Sequence, residues 1–128
     1  MTVKRTERGW AGHFICANRC RFRRNTLLEC GDKKIVVSTV GLMEKWDGDP
    51  RRDGNITGFE KIGLDRYYET MAFHAEKDDA RYHDADVTKE INFESPWAIG
   101  EVDADDKANE MHDAVCKELL LKLEQGEL

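Results

Sequence analysis

The chain has 128 residues, 40% of them hydrophobic and 36% charged, with a formal net charge of −6. That length suits a single domain, and the composition supplies one apolar core beneath a heavily charged surface. No apolar run is long enough to span a bilayer, the charged start lacks the apolar stretch of a signal peptide, and the pattern excludes collagen, coiled coil and a wholly disordered chain, so a cytoplasmic protein is expected.

Residues 1–11 read as a basic N-terminal arm, and 12–128 as one α+β domain. Residues 1–24 carry seven Lys/Arg against Glu7 alone, a local charge of +6, so the remainder carries −12. Such a split gives either an anion-attracting patch on an acidic body or two regions that neutralise each other in the fold.

Short-range alternation predicts strands over 12–17 and 20–28. In the second, Cys20, Phe22, Thr26 and Leu28 share one face, with Arg24 as an exception, while Arg19, Arg21, Arg23 and Asn25 share the other. Residues 34–43 are apolar on both faces and predict a central strand. Residues 44–63, rich in Gly, Asp and Pro around Trp46, read as a long loop that could close over a ligand.

Residues 64–76 and 82–93 predict two more strands. In the first, Tyr67, Met71, Phe73 and Ala75 point inward and Arg66, Tyr68, Thr70 and His74 outward. In the second, Ala85, Val87, Ile91 and Phe93 point inward. Residues 103–125 predict a helix. Asp103 is its cap, Gly126 terminates it, and Ala108, Met111, Val115, Leu119 and Leu123 form its buried stripe, with His112 on the polar shoulder. The expected fold is a two-layer antiparallel sheet of about five strands covered by the C-terminal helix.

Two polar rows are candidate ligand-binding sites. Arg19, Arg21, Arg23 and Asn25 would place guanidinium groups at about the spacing of phosphates. Arg66, Tyr68, Thr70 and His74 would supply charge for a phosphate, a ring for a base and hydrogen-bonding groups. If their strands are neighbours, both rows share one concave face. Glu69, inward beside Met71 and Phe73, needs a partner, and Arg24 is the expected one.

Cys16, Cys20, Cys30 and Cys116 are expected to be reduced thiols. With His13 they could be weighed as a zinc site, but no paired C-x-x-C occurs and strand alternation points Cys16 away from His13. Asp78, Asp79, His83, Asp84 and Asp86 read as a charged hairpin edge, and Asp53–Gly58 lacks the bidentate Glu of an EF-hand. No metal or cofactor is therefore implied. Of the possible nucleophiles and their histidine bases, none sits in a recognisable catalytic setting, so no catalytic residue is assigned and enzyme activity stays open.

The blocks Arg8–Cys16, Cys20–Leu28, Arg66–Ala75, Ser95–Ile99 and Ala108–His112 resemble small accessory proteins carried by bacteriophages and prophages. The resemblance implies anti-defence activity. Some such proteins block CRISPR complexes and others are sponges for cyclic nucleotide signals. The order of sheet then helix is similar to phage sponges that counter Thoeris defence, a likeness of fold alone. The expectation is a non-enzymatic inhibitor of bacterial immunity that sequesters a nucleotide-type anion, as a homo-oligomer in the host cytoplasm. The alternatives are an anti-CRISPR-like protein that binds a nucleic-acid-binding defence complex, and a small nucleotide-processing enzyme. Neither membrane association nor direct DNA binding is expected at this net charge.

Overall fold

A strand with β-branched residues on both sides, such as Ile35-Val36-Val37, is stable only where both its faces are covered. The computed structural model, which describes residues 2–8, 13, 19–48, 52, 54–75 and 85–128, meets that requirement. Its elements are β1 (Lys4–Glu7), β2 (Cys20–Cys30), β3 (Lys33–Asp47), β4 (Asn55–Glu60), β5 (Tyr68–Ala75), β6 (Ala85–Ile91), β7 (Ala98–Ile99) and α1 (Asp105–Glu124). The sheet order is β1-β2-β3-β5-β6, with β4 added to the end of β3 and β7 to the start of β5, all antiparallel. The α+β two-layer architecture forms as expected, with β3 central. The described helix is not long and apolar enough to cross a membrane.

Two segments differ from expectation. Lys4–Glu7, within the expected arm, pairs with Thr26–Glu29 of β2 as an edge strand. Edge strands are kept charged, which erases the alternation that would have announced it. Within the expected loop 44–63, Glu44–Asp47 extends β3 and Asn55–Glu60 pairs back onto it, setting Trp46 opposite Ile56. Trp46 is therefore a half-buried strand residue, and the turn residues are confined to the tip. The strand expected over 12–17 lies outside the described residues except for His13.

The expected helix stripe is buried, and Leu28, Ile35, Val37, Ala72 and Ile91 meet its Val115, Leu119 and Leu123. Each large apolar side chain contributes roughly 1.5–3 kcal/mol when buried, so the stripe rather than helix propensity holds α1 in place. Asp103 is not the cap. It sits in a turn at φ 55°, and Ala104 occupies the cap position without a side-chain hydrogen bond of its own. Instead the Tyr68 hydroxyl accepts the Ala104 N–H at 2.9 Å and donates to Asp105 at 2.7 Å. Its ring lies so close over Gly41 that a Cβ there would come within 2.2 Å of it.

His112 is also placed differently. It is fully buried between helix and sheet, not on a polar shoulder. Thr26 Oγ1 donates to Glu7 at 2.8 Å, so it accepts from His112 Nε2 at 2.7 Å. Nδ1 then accepts from Thr39 Oγ1 at 2.6 Å, and Thr39 accepts from Thr70 at 2.6 Å. One tautomer of a neutral ring satisfies the whole chain. Burial and the nearby Arg24 guanidinium hold the His112 pKa down at about 4, against the opposing pull of Glu7 and Asp113.

The unfolded chain binds the His112 proton below pH 6.5 and the folded chain only near pH 4, so stability rises with pH across that window. Urea denaturation is expected to lose about 2–3 kcal/mol between pH 7 and 4.5 through this group. His112→Gln should be less stable at pH 7 but flatten that slope. A slope unchanged by the substitution would show that His112 is not its source.

Candidate functional site

Strand alternation sends Arg24, Thr26 and Leu28 of β2, Val37 and Thr39 of β3, and Tyr68, Thr70 and Ala72 of β5 towards the helix. Their neighbours face the other way. On that second face Arg23, Val40 and Glu69 form one row, Asn25, Ser38 and Met71 the next, and Leu27, Val36 and Phe73 a third. Polar side chains in the middle of a covered sheet face need partners, and Asn25, Ser38 and Glu69 are all buried.

The partners come from the N-terminal segment and from the residues just before β5. Arg8 donates its backbone N–H to the Asn25 carbonyl at 2.7 Å and its Nε to Asn25 Oδ1 at 2.8 Å. The His13 backbone N–H donates to Ser38 Oγ at 3.1 Å, and the same oxygen lies 2.9 Å from His13 Nδ1. Nε2, beside a carboxylate that can only accept, donates its proton to Glu69 Oε1 at 2.9 Å. Glu69 Oε2 accepts from Arg66 Nε at 2.7 Å. Burial alone would raise the Glu69 pKa, but hydrogen bonds from His13 and Arg66 outweigh it and hold the pKa below the ordinary value.

Ser38, His13 and Glu69 thus stand in the order of a nucleophile, base and acid. The geometry is that of a lock. Ser38 is 1% exposed in the central strand, and its oxygen is already engaged by the backbone N–H and Nδ1 of His13, which leaves no approach for an acyl carbon.

Arg66 leads outward from the lock. Its guanidinium lies 4.8 Å from the Trp97 ring centre, and it packs so closely on Gly63 that a Cβ there would come within 2.6 Å of Cζ. Nη1 reaches Asp65 at 3.3 Å. Beside this stack opens a cleft of about 400 Å³, lined among others by Arg66, Glu69, Met71, Glu90, Asn92 and Trp97. Glu90 is opposite Phe73 in the β5–β6 pairing, hence on the second face.

The expected rows are not brought together. β3 separates β2 from β5, and the two rows largely point to opposite faces. Tyr68 and Thr70, expected outward, are buried under the helix, with Tyr68 in T-shaped contact with Phe22. The register sets His74 opposite helix-facing Ile35, half-buried at the sheet's end. Only Arg66 of that row lies with Glu69 on the second face.

Of the arginine row, Arg19 donates to the Glu44 carbonyl at 2.7 Å, and Arg21 stacks on Phe59 at 5.0 Å with Glu44 3.6 Å away. Arg23 is half-buried and Asn25 is held by Arg8. The expected Arg24–Glu69 pair does not form because the two residues occupy opposite faces. Arg24 instead joins Glu7 at 2.9 Å and Asp113 at 3.0 Å.

Cys20, Cys30 and Cys116 are buried and are joined by no disulfide to one another, and burial pushes the Cys116 pKa up to about 11. Cys16, Asp78, Asp79, His83 and Asp84 lie outside the described residues. Glu90, Asn92 and Trp97 carried no site signal in the sequence, and His13 was weighed there only as a zinc ligand or a histidine base. Trp97 follows Pro96 where the β pattern stops, and only tertiary packing brings it beside Thr70 of β5, whose N–H its carbonyl accepts.

Glu69→Ala would leave His13 and Arg66 without their acceptor and is expected to cost about 3 kcal/mol in urea denaturation. Glu69→Gln, which keeps an acceptor for one of them, should cost less. Equal and negligible losses in both variants would contradict the lock. Compared with family models, curated proteins and solved structures, the chain matches none.

Proposed function

We propose that this chain is a phage- or prophage-encoded, non-enzymatic binding protein that inhibits bacterial immunity by occupying a basic, nucleic-acid-binding surface of a defence protein in the host cytoplasm. The observation that carries the choice of target is where the arginines go. Arg5 and Arg24 pair with Asp113 and Glu7, Arg8 with Asn25, Arg19 with the Glu44 carbonyl, Arg21 with Phe59 and Glu44, and Arg66 with Glu69. Most arginines of the basic N-terminal region thus have partners within the molecule.

The start of α1 presents an acidic surface. Glu101, Asp103, Asp105, Asp106 and Glu110 are all exposed along the start of α1 and the turn before it, with Lys107 already paired to Glu101. An acidic surface of this kind attracts a groove built for nucleic acid and competes with the phosphate backbone there. Sequestration of a nucleotide-type anion is less well supported, because its two polar rows point to opposite faces and the ring meant to stack a base is buried.

The test is phage plating on bacteria whose CRISPR complex targets that phage. Expression of the chain should restore plaques, and the charge reversal Asp106→Lys/Glu110→Lys should abolish the rescue while the protein stays folded. No rescue by the wild-type chain would count against the proposal. So would native mass spectrometry showing an intact nucleotide that is lost in Arg21→Ala/Arg23→Ala, which would return the function to sequestration.

A further inference from the structure

We infer that the cleft beside Arg66 and Trp97 is a receptor for one arginine side chain of the partner. The inference rests on the protein-target reading above and names the group that the partner would insert. The charge balance of the cleft is its first support. Glu69 and Glu90 line the cleft with a single guanidinium, and Arg66 is already committed, with Nε on Glu69, Nη1 on Asp65, and Trp97 and Gly63 packed close to it. An incoming anion would meet carboxylates and a spent cation. An incoming cation would meet an uncompensated negative charge.

Glu90 supplies that charge. It lines the cleft and makes no hydrogen bond or ion pair among the described residues. A free carboxylate accepts the two parallel N–H groups of a guanidinium fork, a match that an ammonium cannot make. The rest of the lining suits the stem and flank of such a side chain. Met71 offers an apolar thioether, the Trp97 indole is 45% exposed, and the Asn92 amide adds an acceptor at the edge. The wall is also held rigid, because Arg66 is fixed through Glu69 to His13 and Ser38. A preformed wall spends little of the binding energy on ordering.

Titrating ¹⁵N-labelled full-length protein with N-acetyl-arginine amide tests this directly. Saturable shifts are expected at the Trp97 indole N–H and the Glu90 and Asn92 signals, with N-acetyl-lysine amide binding more weakly. Glu90→Gln should weaken arginine binding roughly 5–10-fold, as expected for loss of a charge-assisted fork. Glu90 has no partner to lose among the described residues, so the variant should fold normally, and Glu127→Gln serves as a remote charge control.

Unsaturable shifts, shifts elsewhere, equal affinity in Glu90→Gln, or tighter binding of guanosine monophosphate would overturn the inference. The plating assay separates the two levels. If Glu90→Gln loses arginine binding yet rescues phage fully, the cleft is not where the partner docks and the inference fails, while the protein-target proposal stands. Arginine binding without any rescue by wild type would remove the protein target instead.

Discussion

Glu69 places a carboxylate near the middle of a covered sheet face, and a charge in that position is tolerated only when fully paired. Its two oxygens divide the work. One draws His13, and with it the N-terminal segment, down onto Ser38. The other orients Arg66, whose guanidinium then carries Trp97. The cleft wall and the N-terminal anchor therefore share one buried charge, and neither geometry can move far without exposing it.

A second polar line crosses the opposite layer, from Thr70 through Thr39, His112 and Thr26 to Glu7. The two lines meet the central strand at adjacent residues, Ser38 on one face and Thr39 on the other. This adjacency fixes register. A slip of β3 by one residue would turn Ser38 towards His112 and Thr39 towards His13, and would turn Val37 and Val40 to the wrong layers. Apolar residues alone would specify that register weakly, because β3 is hydrophobic on both sides. Hydroxyl groups of differing position discriminate where the aliphatic residues cannot, and the buried polar atoms of the described residues all find partners.

The same two-sided burial explains what was legible in the sequence. The helix stripe and the strands β2 and β5 follow from periodicity, and β3 from a β-branched run that is apolar on both faces. Faces are harder. Tyr68 and Thr70 look like outward residues by polarity, yet their hydroxyls are satisfied inside by Asp105, Ala104 and Thr39. Met71 and Phe73 look inward, and they are, but towards the second covered face. His112 reads as a surface residue until Thr26 and Thr39 are brought to either side of it. In each case the missing information is a partner distant in sequence. The Arg24–Glu69 expectation failed in the same way: the need for a partner was legible, but the partner itself was set by which face each strand presented.

That lesson bears on function through the arginines. A row of guanidinium groups in sequence suggests an anion site only if they stay available, and here most acquire a carboxylate, carbonyl or ring of their own. Pairing makes them structural and leaves the exposed carboxylates to set the field that an approaching molecule feels. In the cleft the same accounting repeats on a smaller scale. Arg66 is consumed by the wall it helps build, and Glu90 is the group left over. The chemistry available for recognition is what remains after the fold has satisfied itself, and in this molecule that remainder is negative charge beside an exposed indole ring.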